Sequence, residues 1–260
     1  MARHSNKKDS NFKRTIAILL TLILICSIIL IIKIKLTEHK ENEIQREISQ
    51  VLDTIDIPQD KITPEKTERQ LQIEELQKEN EDIIGWLEIE GTNINYPVLQ
   101  GEDNDYYLKH TYRHEKISSG SIFLDKDYDF NTPSNNLLIY GHRNKKGLMF
   151  EDLINYKKEA YYNEHKQIRF TTPTEDMTFE IISAFNSRVY YQDETNVFRY
   201  YQFVNAKNQN EYESYINNSK KASLYDTGKT AEYGERLLTL STCDYSQKNG
   251  RFAVVAKEVK

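Results

Sequence analysis

The sequence predicts a mainly β domain, a barrel or a sandwich, that lies behind an N-terminal transmembrane helix. Short apolar, strand-like segments outnumber helical ones along most of the chain, which favours a mixed but mainly antiparallel sheet. An uncharged apolar run near the N-terminus is just long enough to cross a bilayer as a helix. The composition, 38% hydrophobic and 29% charged, is typical of a folded globular domain and not of a disordered chain.

The apolar run covers residues 15–32, "TIAILLTLILICSIILII". Basic residues precede it: Arg3, Lys7, Lys8, Lys13 and Arg14. The positive-inside rule then places the N-terminus in the cytoplasm and the chain from about Lys33 onward outside the cell. We therefore expect a cytoplasmic basic tail (1–14), a transmembrane signal anchor (15–36) and an extracytoplasmic stalk (37–64). A cleaved signal peptide is the alternative, although the run is long for one and no small-x-small site follows it.

The main folded domain is expected over residues 65–260 and should open with a helix at about 65–80. Pro64 suits a helix start, and Glu65 and Glu68 place negative charge in the first turn. Two further helical segments are expected: "LMFEDLINY" (148–156) and "QNEYESYINNSKKA" (209–222).

Strand signals dominate the rest of the domain. The segment "GWLEIEGTNINYPVLQ" (85–100) alternates apolar and polar positions around Gly91 and Thr92, which predicts a hairpin. Further strands are expected at 120–125, 135–142, 167–172, 177–185, 197–203, 236–243 and 251–259.

Charge and cysteine usage narrow the function. A net charge of -5 gives no reason to expect a nucleic-acid partner. Cys26 falls in the membrane segment and cannot reach Cys243, so Cys243 is a lone thiol in a compartment where disulfides are usual. Cys243 is therefore a candidate nucleophile, and a buried structural cysteine is the alternative.

A nucleophilic cysteine needs a histidine close in space. His142 follows the apolar segment "NLLIY" and Gly141, so it is expected where a strand ends, a rigid place from which to direct a side chain into a cleft. A turn histidine bonded to the backbone is the alternative. His110 and His114 have a spacing that two metal ligands could share, but no third ligand is evident nearby, and we expect exposed loop histidines and no metal.

Arg251 begins the segment "RFAVVAK" after a short loop. If 236–243 and 251–259 are neighbouring antiparallel strands, Cys243 and Arg251 lie together at one end of the sheet. A cation there would favour the thiolate and stabilise an oxyanion, whereas a surface salt bridge is the usual fate of an arginine. No histidine follows Cys243, and this order excludes a papain-like protease.

Together these segments resemble the sortase family. The motif "TLSTC" (239–243) matches the sortase TLxTC signature, and "YGHRN" and "NGRFAVV" match the family's other two catalytic motifs. The stretch 80–112 followed by "GSIFLD", and "GHRNKKGLMFEDLINY" (141–156), resemble class B members in particular. The resemblance covers about residues 80–260 and implies an eight-stranded β-barrel with N-terminal helices. The helix expected at 209–222 fits the class B insertion before the cysteine strand.

The resemblance also implies a cysteine transpeptidase of Gram-positive cell envelopes that works without a cofactor. Such enzymes cut a C-terminal sorting motif after Thr, of the NPQTN or NPxTG kind in class B, and transfer the protein to a peptidoglycan amine. Carried over by motif, Cys243 is the nucleophile, His142 the acid and base, and Arg251 the oxyanion and substrate holder. Asn104, Leu108 and Ser241 map to substrate-groove positions. The expected partners are exported proteins with a sorting signal, the peptidoglycan amine and the cell membrane.

Three other functions stay open on sequence grounds. Water could resolve the same acyl-enzyme, which would make the protein a processing peptidase. A pilin-polymerising sortase would use a lysine of another protein, and such enzymes often carry a second C-terminal membrane helix, whereas this sequence stops at Lys260. A non-catalytic, membrane-tethered binding module is disfavoured by the intact His-Cys-Arg set.

Overall fold

A computed structural model describes residues 5–131, 135–144 and 146–259 of the chain. It divides into two compact units, Met1–Ile44 and Gln45–Lys260. Helix α1 (Ser5–Ser49) provides the first unit and ends in the second. Between Phe12 and Ser49 this helix is long and apolar enough to cross a membrane, with a mean hydropathy of 3.2 in its most apolar part and exposed side chains there. A lone helix with an apolar surface all round fits a membrane anchor.

Much of the interval expected as a stalk, 37–64, belongs to the second unit. Ile48, Val51 and Leu52 are buried, and a 3₁₀ turn covers Val51–Thr54. Gln72 donates hydrogen bonds to the carbonyls of Leu52, within the turn, and of Ile55, directly after it. The chain from Gln45 onward therefore packs as part of the folded unit.

Helix α2 spans Glu68–Gln77 and is shorter than the expected 65–80. The Thr67 side chain accepts a hydrogen bond from the Gln70 backbone, and the Gln70 side chain accepts one from the Thr67 backbone. This capping box fixes the helix start. Pro64 and Glu65 consequently lie before the helix, and the Thr-x-x-Gln pattern was the better predictor of its start.

Eight strands of the described residues close into a barrel in the order β1-β2-β3-β4-β9-β10-β8-β7. Their bounds are β1 Ile83–Glu88, β2 Asn95–Leu99, β3 Ile122–Leu124, β4 Asn136–Tyr140, β7 Gln167–Thr171, β8 Asp176–Arg188, β9 Leu237–Cys243 and β10 Gly250–Val259. Strand β2 pairs in parallel with β3, and β4 pairs in parallel with β9, while the other pairs are antiparallel. The predicted barrel and its mainly antiparallel pairing are confirmed.

The predicted hairpin is also confirmed, since β1 pairs with β2 around a turn in which Gly91 has φ +76°. A positive φ costs glycine little, which explains its place at the turn. Trp86, Phe170 and Phe179 are fully buried and belong to the barrel core.

Two expected elements have a different form. Residues 197–203, expected as a strand, contain the 3₁₀ turn Tyr200–Gln202. Their aromatic rings pack on helix α4 (Gln209–Ala222), with Phe203 stacked on Tyr215 at a centroid distance of 4.0 Å. This packing overrides the strand propensity of the segment.

The segment 148–156, expected as a helix, divides into a short strand and a 3₁₀ helix. Strand β5 (Arg143–Asn144) pairs with β6 (Leu148–Met149), and the 3₁₀ helix Asp152–Lys157 follows. A short helix, α3 (Glu159–Glu164), leads to β7. Helix α4 lies at its expected position before β9, and the side chain of Asn208 caps its N-terminus.

Candidate active site

Cys243 is the last residue of β9, a strand that lies between β4 and β10. In the β9–β10 ladder it pairs directly with Arg251, as the sequence predicted from two adjacent strand ends. Side chains of directly paired residues point to the same face of a sheet. The register therefore presents the thiol and the guanidinium on one face.

The loop between these strands is closed by several short contacts. Asp244 donates its backbone N–H to the carbonyl of Gly250 at 3.0 Å, and its buried carboxylate pairs with Lys157 at 2.7 Å. Burial alone would raise the pKa of Asp244, but hydrogen bonds from Lys157 and Ser246 outweigh it and leave the pKa below its ordinary value. A charged, anchored Asp244 thus fixes the backbone that directly follows the thiol.

His142 follows β4 by two residues, and backbone contacts hold this turn against β9 and the following segment. Gly141 donates its N–H to the Ser241 carbonyl at 3.1 Å, and Phe150 donates its N–H to the His142 carbonyl at 3.0 Å. A Cβ on Gly141 would lie 2.6 Å from the Phe150 ring, so this close packing requires glycine.

The imidazole of His142 is oriented by a backbone carbonyl from another part of the chain. Its Nε2 lies 2.9 Å from the Leu108 carbonyl oxygen. A carbonyl only accepts hydrogen bonds, so Nε2 carries the proton and Nδ1 is the nitrogen left for exchange. Burial lowers the pKa of His142, the Leu108 carbonyl raises it in part, and the Arg251 cation lowers it again, with a net decrease. The lowered pKa favours the neutral ring, and the hydrogen bond to Leu108 favours the tautomer with its proton on Nε2.

The structure brings all six residues predicted for the site around one cavity of about 230 Å³. The cavity is lined by the six predicted residues, Cys243, His142, Arg251, Asn104, Leu108 and Ser241. Its other lining residues are Phe123, Tyr140, Gly141, Val189, Tyr200, Tyr201 and Thr242. A small, partly apolar cavity with a thiol, an imidazole and a guanidinium at its surface suits acyl transfer on a peptide.

Ser241 and Asn104 have side chains that are already engaged within the protein. Ser241 Oγ lies 2.7 Å from the Tyr200 hydroxyl. Asn104 donates to the buried carboxylate of Asp125 at 3.0 Å and accepts from the Lys126 backbone at 2.9 Å. These two residues shape the cavity through fixed hydrogen bonds.

Sequence reasoning did not identify three tyrosines of the cavity, Tyr140, Tyr200 and Tyr201. Tyr140 donates to Asp125 at 2.9 Å, which joins it to Asn104. Tyr200 and Tyr201 lie in the segment that was expected as a strand. The density of aromatic residues in "VFRYYQF" was the available signal, but it did not say which rings face the cavity.

His110 and His114 contact an exposed tyrosine. The ring of His110 stacks on the ring of Tyr106, with their centroids 4.2 Å apart. His114 Nδ1 lies 3.1 Å from the Tyr106 hydroxyl oxygen. In the part of the chain that the structure describes, no group of three or more His, Cys, Asp and Glu residues is arranged to hold a metal ion.

Comparison with known proteins identifies a family that this chain resembles. The model of the sortase domain matches residues 87–259. Sortase B of Listeria monocytogenes is 32% identical over 230 residues, covering 88% of this chain and 89% of the relative. The structure of B. anthracis sortase B in complex with AAEK1 has a TM-score of 0.72 at 31% identity and covers 86% of this chain and 99% of that one. The Staphylococcus aureus sortase B-substrate complex has a TM-score of 0.67 at 28% identity, covering 84% and 94%.

Proposed function

The chain belongs to the sortase family, and we propose that it uses Cys243 to cut a C-terminal sorting motif and to join the exported protein to a peptidoglycan amine. It is a sortase-type cysteine transpeptidase of the class B kind, an enzyme of cell-wall anchoring. We further propose that Cys243, His142 and Arg251 carry out the reaction, that the motif is NPQTN-like or NPxTG-like, and that the intermediate is a thioester. The observation that carries it is the meeting of Cys243, His142 and Arg251 around one cavity.

The first half of the reaction is acylation. The sulfur of Cys243 attacks the carbonyl carbon of the Thr residue in an NPQTN-like or NPxTG-like motif. A tetrahedral oxyanion forms and collapses, the peptide bond after Thr breaks, and the new C–S bond leaves a thioester. Nδ1 of His142 accepts the thiol proton of Cys243 and gives it to the departing amine, which would otherwise be a very poor leaving group.

The second half reverses these roles with a different amine. An amine of a peptidoglycan precursor or cross-bridge attacks the thioester carbon, and His142 accepts its proton. The C–S bond breaks, His142 passes the proton to the sulfur of Cys243 and so restores the thiol, and a new amide joins the exported protein to the cell wall. The half-buried ring of His142, whose pKa is lowered, supports the base role in this half.

Arg251 supports both halves through its fixed charge. Its pairing with Cys243 in the ladder supports a role in stabilising the oxyanion that forms in each half. Arg251 Nη1 donates to the Gly250 carbonyl at 2.9 Å, which limits the freedom of the side chain. We assign Asn104, Leu108 and Ser241 to the surface that holds the motif, because each lines the cavity.

The membrane arrangement is the last part of the proposal. Residues 1–14 form a cytoplasmic tail, 15–36 the transmembrane signal anchor, and the catalytic domain lies outside the cell. The exposed apolar part of α1 supports the anchor, and the basic residues before it support the orientation. An enzyme placed in this way meets both exported proteins and cell-wall precursors.

The test is a product analysis with the full chain in detergent. NPQTN-like and NPxTG-like peptides are incubated with and without a peptidoglycan-derived amine, and the products are read by mass spectrometry. We expect a peptide cut after Thr and joined to the amine, and a thioester on Cys243 when the amine is withheld. Cleavage to a free acid alone, with the amine present, would favour the processing peptidase.

The two cysteines of the sequence offer a matched control for the nucleophile. Cys26→Ala removes the thiol in the apolar helix and should leave the product pattern unchanged, since it lies outside the cavity. Thioester formation that disappears in Cys26→Ala and persists in Cys243→Ala would overturn the assignment.

A further inference from the structure

The Leu108 carbonyl that orients His142 is itself held against Gly120. Gly120 has φ +55°, and a Cβ added to it would lie 2.4 Å from the Tyr107 carbonyl oxygen and 2.5 Å from the Leu108 carbonyl carbon and oxygen. The neighbouring Ser121 donates its backbone N–H to the Tyr107 carbonyl at 2.8 Å. Gly120 and Ser121 thus hold the backbone that carries the Leu108 carbonyl in place.

A buried glutamine holds Gly120 from the other side. Gln45, near the end of α1 and within the second unit, is 1% exposed. Its Nε2 donates to the Gly120 carbonyl at 2.7 Å and to Ser119 Oγ at 3.0 Å. A buried amide that serves one backbone carbonyl at short range restricts the position of that peptide, because losing the bond leaves a buried carbonyl unpaired.

We propose that Gln45 and Gly120 are positioning residues for His142, acting through the Leu108 carbonyl. Gln45 fixes the Gly120 peptide, Gly120 fixes the backbone at 107–108, and the Leu108 carbonyl fixes Nε2 of His142. Nδ1 is thereby kept in the direction from which it exchanges protons with the substrate. The inference rests on the proposed role of His142 in acid and base catalysis, but its geometric part is independent of that role.

The residue types fit this task. Gly120 is the residue type that allows both the positive φ and the contact with the Leu108 peptide. Gln45 reaches the Gly120 carbonyl with a neutral donor, so no charge is buried. An apolar side chain of similar length, such as methionine, would fill the same space without supplying the donor.

The test compares the buried Gln45 with the half-buried Gln72, which both donate to backbone carbonyls but of which only Gln45 bonds Gly120. Gln45→Met removes the donor to Gly120. Gln72→Met removes a donor whose side-chain hydrogen bonds, within the described residues, go to the carbonyls of Leu52 and Ile55. The full chain, labelled with ¹⁵N-histidine in detergent micelles, gives the tautomer of His142 from its ring nitrogen shifts, with His142→Ala used to assign the signal.

In the unaltered chain and in Gln72→Met we expect the neutral ring to hold its proton on Nε2. In Gln45→Met we expect both tautomers and a kcat/KM that falls about 10-fold, less than the about 100-fold that a 1 Å misplacement can cause. A His142 that keeps the Nε2–H tautomer in Gln45→Met would overturn the proposal. Mixed tautomers in both glutamine variants would also overturn it, because they would indicate general loosening.

A second pair of variants tests the same link from Gly120. Gly120→Ala should perturb the His142 tautomer, whereas Gly228→Ala shares the positive φ (+69°) but has no other atom within 4 Å of its added Cβ. An unchanged tautomer in Gly120→Ala would count against the link. If His142→Ala keeps full turnover, the catalytic role fails, and the tautomer result still decides whether Gln45 positions the ring.

Discussion

The cavity has two sides that are built by different means. On the strand side, Cys243, Ser241 and Arg251 belong to β9 and β10, and β9 has hydrogen-bonded neighbours on both edges. On the loop side, Asn104 and Leu108 lie in a segment whose contacts around the cavity run through side chains and single carbonyls. Ladder register fixes the first side, whereas the second depends on a few individual bonds.

This difference teaches which part of the site is sensitive to distant changes. Many backbone hydrogen bonds of the β8–β10 and β9–β10 ladders together hold Cys243 and Arg251 in position. Losing one side chain on that side therefore leaves the backbone geometry of the strands unchanged. Among the residues that the structure describes, the side chain of His142 makes one hydrogen bond, to the Leu108 carbonyl. Substitutions should therefore act on chemistry alone on the strand side, and on both chemistry and geometry on the loop side.

The largest effect should come from the strand side. Cys243→Ala removes the nucleophile, and we expect turnover to fall by at least about 1,000-fold, with the rest of the site unable to replace a covalent step. Because the β9 backbone keeps its partners, the melting temperature should stay close to that of the unaltered chain. Turnover rates from mass spectrometry test the loss of activity, and thermal melts test the unchanged stability. Substantial turnover in Cys243→Ala would show that Cys243 is not the nucleophile.

The next largest effect concerns the imidazole that joins the two sides. His142→Ala should lower kcat by about 100- to 10,000-fold, the usual contribution of general acid and base catalysis. His165→Ala is the matched control, since His165 Nδ1 also bonds a backbone carbonyl, that of Glu90, but lies outside the cavity. Equal losses in both variants would mean that the effect is structural.

Arg251→Lys should reduce kcat/KM by about 100-fold, because lysine keeps the charge and loses the planar fork that can bond an oxyanion and a backbone together. Arg169→Lys, which alters an arginine paired with Asp176 outside the cavity, serves as the control. Near-normal kinetics in Arg251→Lys would show that only the positive charge matters at this position.

A smaller effect tests whether the two sides are independent. Gly141→Ala places a Cβ 2.6 Å from the Phe150 ring, and such overpacking costs about 1–3 kcal/mol of unfolding free energy. Since Gly141 also bonds Ser241, the substitution should disturb His142 and the start of the strand side together. Denaturant unfolding and Cys243 alkylation measure the two consequences. An unchanged alkylation rate alongside reduced stability would support independent sides.

The smallest predicted effect is electrostatic. Arg251→Gln removes the cation that helps to lower the pKa of His142, so that pKa should rise while burial still keeps it below its ordinary value. NMR titration of the ring measures the change. A lowered pKa means that the unfolded state binds the proton more readily, so the folded state loses stability as pH falls through the ordinary histidine range. That loss should be smaller in Arg251→Gln.

The strand side could be predicted from local patterns, and the loop side could not. An apolar run that ends in Cys243 and another that starts at Arg251 indicated two adjacent antiparallel strands. Because a short loop joins them, the end of the first strand faces the start of the second, and this pairs Cys243 with Arg251. Leu108 and Asn104 were reached through the family resemblance alone. Their positions depend on contacts of Asn104 with Asp125 and of Leu108 with Gly120, residues that are distant in sequence, and the spacing of apolar residues does not predict such contacts.

The errors have the same physical origin. The segment 197–203 has strand propensity, but stacking of Phe203 on Tyr215 sets its conformation, and a contact with a later helix is invisible to a local pattern. The start of α2 was readable from Thr67 and Gln70, yet the more familiar signal of Pro64 was given priority.

Closure of the barrel has a consequence for how specificity can evolve. Each of its eight strands, as the structure describes them, has a partner on both sides, so no free edge is offered to an incoming extended peptide. Proteins that bind peptides by adding them to a sheet obtain much of their affinity from main-chain bonds that any sequence can make. Without that general contribution, we expect binding of the peptide to depend on side chains that line the cavity, such as Tyr201 and Val189, and on individual carbonyls there. A few substitutions there could redirect the enzyme to another peptide while leaving the barrel ladder intact.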